Sequence, residues 1–262
     1  MLRFLKFLLA LLADHAMSAS ASNIFLLAGQ SNMSGRGGNY NDSTSNTVRW
    51  DGQIPPECRS KPEILQLAAN KSWVEAHEPL HQEIDHWKTC GIGPGMPFAN
   101  AILAKYPSFG SIGLVPCAKG GTRIIEWAKG TELYNQLVSR AKASLNGGGK
   151  IRALLWYQGE SDTAEQDAKL YKSRLEKFFN DVRHDLNYPD LPIIMVAICS
   201  ADQGPFMDVI RKVQLNFNHK NVKCVDAMGS TFLADNKHLD TKSEIRVAQK
   251  LADAFLSSFA HL

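Results

Sequence analysis

The sequence predicts one α/β domain of three layers, with helices on both faces of a central parallel sheet of about five strands. Short apolar runs rich in branched residues alternate with longer stretches of helical period, which is how strands buried on both faces and their crossover helices read. The 262 residues, 44% of them apolar, suffice for one substantial core at a size ordinary for a single α/β domain. No internal repeat divides the chain, and its one low-complexity tract, Gly147 to Gly149, reads as a turn.

The first residues, MLRFLKFLLALLA, set Arg3 and Lys6 ahead of an apolar run from Phe7 to Ala13, the pattern of a secretory signal. A bilayer span needs about 20 apolar residues, so a stable membrane anchor is not expected. Small residues at Ala19 and Ala21, or at Ala16 and Ser18, offer cleavage sites. Residues 1–21 are therefore expected to be a signal peptide and residues 22–262 the single domain of a secreted, extracellular protein. A cytoplasmic location is the alternative.

The expected strands are Ile24 to Ala28, Ile112 to Val115, Ile151 to Tyr157, Ile193 to Ile198 and a weaker one at Val222 to Val225. Between them, Phe98 to Tyr106, Leu133 to Leu145, Ala164 to Leu186 and Met207 to Phe217 carry helical spacing. The last helix, Thr241 to Phe259, repeats apolar residues at Ile245, Ala248, Leu251, Ala252 and Phe255, one face to lay on the sheet. The stretch from Ser34 to Gly95, rich in Gly, Pro and Asn/Asp, is too long for a simple connection. It is expected to shape a binding site.

Charge excludes one class of partner. The 29 basic and 26 acidic residues give a net +3 without a long basic run, so nucleic acid is not expected to bind. The five cysteines lack CxxC spacing, so neither a disulfide framework nor a zinc ribbon is indicated. Cys58 with Cys90 is the pair to test in a secreted chain. Sequons at Asn32, Asn41 and Asn70 fit secretion but are short patterns.

In open α/β sheets, ligands bind beyond the carboxyl ends of the strands. Three of those ends are unusual, with Gly29-Gln30-Ser31-Asn32-Met33 after the first strand, Lys119-Gly120-Gly121-Thr122 after the second and Gln158-Gly159-Glu160-Ser161-Asp162 after the third. A serine hydroxyl is a weak nucleophile that needs a base and a group to orient the base. Asp235-Asn236-Lys237-His238, just before the last helix, can supply both, although DxxH alone is a weak signal and more often a capped turn. Attack on an ester builds charge on oxygen, and the amides of Ser31, Gly120 and Gly121 with the side chain of Gln158 are candidate donors to it.

These four blocks resemble those of the SGNH/GDSL hydrolases, and most nearly the sialate O-acetylesterase-like branch, carbohydrate esterase family six, in its plant-type form. The similarity extends from about Asn23 to the C-terminus and includes Pro-Pro-Glu-Cys, Glu-Ala-His-Glu-Pro-Leu-His and Gly-Pro-Gly-Met. It implies a flavodoxin-like α/β/α fold, Ser31 as nucleophile, His238 as base and Asp235 as its orienting acid. Gly121 and Gln158 would serve the oxyanion hole, with the choice between Gly120 and Gly121 left open. GQS and Gln158 stand where the wider superfamily has GDS and Asn. Gln30, Asn32, Glu160, His81 and Arg123 are candidates to support the site or line the substrate pocket, the expected substrate being an acetylated carbohydrate. No cofactor is required by such chemistry.

Two rival readings remain. His77-Glu78-Pro79-Leu80-His81 matches the zinc motif H-E-x-x-H, but Pro79 falls where the motif needs helix interior, at a cost of about 3 kcal/mol. The second rival is a non-catalytic carbohydrate-binding protein of the same fold. Glu160 and Asp162 are too close together to flank a glycosidic bond, and capping by Asp162 is the plainer reading. Arg123 and Lys119 could meet an acidic sugar but read as surface charges, Trp127 and Trp156 read as core, and Gly35-Arg36-Gly37-Gly38 reads as a turn.

Overall fold

A computed structural model describes residues 20–200 and 204–261. The secretory segment expected over residues 1–21 therefore lies outside the described residues, except for Ser20 and Ala21.

Seven strands share one sheet. They are β1 (Asn23–Gly29), β4 (Ile64–Leu67), β5 (Trp73–Glu75), β6 (Ile112–Pro116), β7 (Lys150–Tyr157), β8 (Ile193–Ala197) and β9 (Val222–Asp226). β2 (Asn39–Asp42) and β3 (Thr47–Trp50) pair antiparallel as a separate hairpin. The order in the large sheet is β5-β4-β6-β1-β7-β8-β9, parallel throughout except for the edge strand β5. All five expected strands are present, and two more come from the segment between Ser34 and Gly95. β4 has only four residues and gains its partner through the register of Ile64 with Ile112, a pairing that a local pattern does not reveal.

Six α-helices among the described residues complete the fold. They are the single turn α1 (Ser31–Ser34), then α2 (Gly95–Lys105), α3 (Glu132–Ser144), α4 (Glu165–Asp185), α5 (Met207–Leu215) and α6 (Thr241–Ser258). α6 starts where its N-cap, Asp240, accepts the Ser243 amide at 2.8 Å, which satisfies one of the first-turn donors. β1 is buried along its whole length and presents Phe25 to the α2–α6 layer. The Phe25 ring meets Phe98 and Phe255 edge to face, 4.9 Å between centres in each case. On the opposite layer, Trp156 packs on Phe178 at 4.6 Å and on Trp127 at 5.3 Å. Both tryptophans are core residues. All five cysteines are free thiols, Cys58 and Cys90 included.

β1 lies between β6 and β7, so the connections run to one side of it early in the chain and to the other side later. That reversal opens a crevice at the carboxyl ends of these three strands. No helix among the described residues is long and apolar enough to cross a membrane.

Because Phe255 closes the aromatic cluster over β1, Phe255→Ala is expected to cost about 3–5 kcal/mol. Urea unfolding at constant pH checks it.

Candidate active site

The crevice holds a cleft of about 430 Å³ whose walls include Ser31, Gly121, Glu160 and His238. Ser31 reaches it because β1 ends in Gly29, whose φ of +130° and position against Tyr157 leave no room for a side chain. An added Cβ there would lie 2.1 Å from the Tyr157 carbonyl oxygen. The chain then turns into α1, where the Met33 and Ser34 amides donate to Gln30 O and Gly35 N donates to Ser31 O. The N–H of Ser31, first in the turn, has no partner among the described residues, as expected of a helix start.

His238 arrives from the other side of the cleft on the loop before α6. Its Nδ1 lies 2.6 Å from Asp235 Oδ2, while Asp235 Oδ1 accepts the amides of Lys237 and His238 at 2.9 and 3.0 Å. The tight turn requires a left-handed Asn236, φ +59°, a conformation asparagine tolerates. Burial pushes the Asp235 carboxyl up, but the His238 and Lys237 amides and the imidazole outweigh it and hold the group below its ordinary value. Ser31 and His238 line the same cleft with no hydrogen bond between their side chains, a looseness common before substrate draws a site together.

The Gly120–Gly121 turn borders Ser31, since a Cβ on Gly120 would come within 3.6 Å of Ser31 Cβ. The two glycine amides differ in availability. Gly120 N donates to Asp85 Oδ2 at 3.1 Å, whereas Gly121 N has no partner among the described residues and sits beside open space at φ +77°. Gln158 departs from expectation. It is fully buried, lies off the cleft, and spends its amide N–H groups on Thr122 O at 2.9 Å, on Asp162 and on Gln30 Oε1. Its main-chain carbonyl is held as well, accepting Tyr171 Oη and Gln214 Nε2 at 2.8 Å each.

Asn32 and Glu160 link the blocks. Asn32 Nδ2 donates to Glu160 Oε1 at 2.8 Å and Asn32 Oδ1 accepts Leu239 N at 3.1 Å, so the His238 loop is tied to the Ser31 turn. Burial raises the Glu160 carboxyl to about 7 against the pull of Asn32. Gln30 lines the cleft and holds Ser161 N through Oε1. Asp162 caps a short helical turn by accepting Ile124 N at 2.9 Å.

Two candidates lie elsewhere. His81 is buried away from the cleft in the turn that follows a cis Glu78–Pro79 bond, and burial drives its imidazole down to about 3. Arg123 is on the surface, ion-paired to Asp167 at 3.4 Å. The zinc motif forms no helix, and His77 is exposed while His81 is buried. Among the described residues no group of three or more His, Cys, Asp or Glu is placed to hold a metal.

The sequence reading missed Asp85 and Arg36. Arg36 Nη2 lies 2.6 Å from Asp85 Oδ2, the same oxygen that accepts Ser34 Oγ at 2.9 Å and Gly120 N. Both side chains are buried. They are 49 residues apart in the chain, and only the fold joins them.

The fold and the cleft define a three-layer α/β/α esterase scaffold with a mostly parallel central sheet. Residues 21–257 match the family described as carbohydrate esterase, sialic acid-specific acetylesterase. A probable carbohydrate esterase of Arabidopsis thaliana is 48% identical over 240 residues, covering 91% of this chain and 92% of the relative. A crystal structure of an Arabidopsis thaliana protein, also 48% identical, superimposes with a TM-score of 0.88 over 91% of this chain and 99% of its own. A carbohydrate acetylesterase from Xanthomonas citri shares the fold at 16% identity, TM-score 0.65, over 91% of this chain and 57% of its own. The chain belongs to the carbohydrate esterase, sialic acid-specific acetylesterase family, and it is a carboxylic ester hydrolase.

Asp85→Ala is expected to leave Arg36 buried without its counter-ion and to cost about 3–5 kcal/mol, with loss of ester hydrolysis as the Gly120 turn comes free. Urea unfolding and aryl acetate turnover of the variant test both effects.

A second expectation concerns pH. Burial pushes the Glu78 carboxyl up to about 8 from 4.5, against the pull of the Leu80 and Gly93 amides. The folded chain therefore holds a proton that the unfolded chain releases, and stability falls as pH rises between those values. His81 acts in the opposite sense, but only from about 3 to 6.5. Between pH 6.5 and 8 the wild type should lose stability and Glu78→Gln should lose less, as read from unfolding midpoints across that window.

Proposed function

We propose that this protein is a serine esterase that removes O-acetyl groups from carbohydrates through an acyl-enzyme. The observation that carries the reading is the presence on one cleft of Ser31, with its main-chain N–H unspent, and of the Asp235-bonded imidazole of His238. Asp235 engages Nδ1, which leaves Nε2 as the base. His238 takes the Ser31 proton as Oγ attacks the acetyl carbonyl, and the N–H groups of Ser31 and Gly121 receive the oxyanion. Each such donor is worth about 2.7–4 kcal/mol. The ester C–O bond breaks, His238 returns its proton to the sugar oxygen, and water activated by the same base releases acetate. Gln158 acts here as a buried strut under the oxyanion turn.

The carbohydrate half of the reading is supported by the family match and by the Arabidopsis relative, and the acetyl group by the acetylesterase description of the family. The signal-like N-terminal residues support a secreted enzyme.

Acetate release from acetylated glycans and a small aryl acetate is expected for the wild type and absent for Ser31→Ala with its fold intact. Asp235→Asn should lower kcat by up to about 10⁴-fold, and a chelator should leave the rate unchanged. Full activity in Ser31→Ala would refute the mechanism; glycan binding without hydrolysis of any acetyl ester would favour a binding role.

A further inference from the structure

His238 has two sides. One faces the cleft shared with Ser31, and the other faces a second cleft of about 290 Å³ lined by Val48, Trp87, Lys88, Leu233 and Asp235 as well as His238. The two clefts share Arg36, Lys88 and His238, so they adjoin across these side chains. Their adjacency has a chemical meaning under the proposed function, on which this inference rests. The base that accepts the Ser31 proton must return it to the departing alcohol oxygen. The acyl group lies toward the Ser31 and Gly121 amides, and the sugar lies on the imidazole side.

The surface waiting there is unusual. The Trp87 side chain is 82% exposed, and the His86 ring packs against it at 4.6 Å between centres, tilted by 43°. Val48 stands nearby, 48% exposed. The platform is fastened to the body of the protein, because Thr89 Oγ1 donates to Val48 O at 2.9 Å and Asn39 Nδ2 donates to Thr89 O at 2.8 Å. The turn that carries Trp87 is thereby tied to the β2–β3 hairpin. A broad aromatic surface left in water beside polar groups suits a ligand with an apolar face and a hydroxylated rim. A pyranose ring is such a ligand.

We propose that Trp87, with Val48 and Lys88, forms a second sugar subsite, and that the substrate is an acetylated oligosaccharide or polysaccharide whose neighbouring ring stacks on Trp87. A free acetylated monosaccharide fills only the first cleft.

The test compares wild type, Trp87→Ala and Trp87→Phe on a small aryl acetate, on acetylated monosaccharides and on acetylated xylo-oligosaccharides and oligogalacturonides. The wild type should prefer at least one oligosaccharide series over its monosaccharide by about tenfold or more in kcat/KM, which is about 1.4 kcal/mol. Trp87→Ala should erase that preference through KM, leave aryl acetate hydrolysis within about twofold, and be partly rescued by Trp87→Phe. Equal losses on all substrates, or no oligosaccharide preference in the wild type, would overturn the subsite. Calorimetry of deacetylated xylo-oligosaccharides and oligogalacturonides on Ser31→Ala, with and without Trp87→Ala, reads the subsite apart from turnover. Trp87-dependent binding there supports the subsite even if the esterase mechanism fails, and failure of both series to bind overturns it.

Discussion

One carboxylate oxygen fastens the candidate active site together. Asp85 Oδ2 accepts from Ser34 Oγ, from the Arg36 guanidinium and from Gly120 N, three donors from two different strand-end loops. A buried carboxylate is tolerable only when donors and a positive charge surround it, so this oxygen fixes three segments at once. The turn after β1 is held, the turn after β6 is held, and the long segment that carries Asp85 is pressed against both. Its choice of Gly120 also decides which glycine amide stays unbonded, because Gly121 is left facing the cleft.

The sheet supplies the rest. With β1 between β6 and β7, the loops that follow these strands converge without long excursions, and each contributes one part of the site. The loop before α6 completes it from outside the sheet. Asn32 joins that loop to the Ser31 turn by accepting Leu239 N while donating to Glu160, so the loop that carries His238 is held to the Ser31 turn by a fixed hydrogen-bond chain and not by loop chance.

How much of this could be read from the residues follows from the range of each interaction. The five main strands and the long helices were legible, since apolar period is a local property. β4 and β5 were not, because β4 is identified by its pairing with β6 across the chain and β5 by its pairing with β4. Chain position brought Ser31, Gly121, Glu160 and His238 to one cleft correctly, since residues after parallel strands share one edge of the sheet. Side-chain direction was the weak point. Gln158 follows β7 as expected yet turns inward, and His81 is shut beneath the turn begun by a cis Glu78–Pro79 bond. Arg36 looked like part of a glycine turn, and no local feature of Asp85 marks it as its partner.

The β2–β3 hairpin is closed on itself. Asp51 N donates to Gly38 O at its neck, and just below, Gly37 and Ile92 pair across the two ends of the segment. Lengthening or replacing the hairpin tip would leave the Ser31 turn and the Asp85 anchor untouched. Specificity in this scaffold can therefore diversify as an exchangeable module, while the hydrolytic centre beneath it is inherited unchanged.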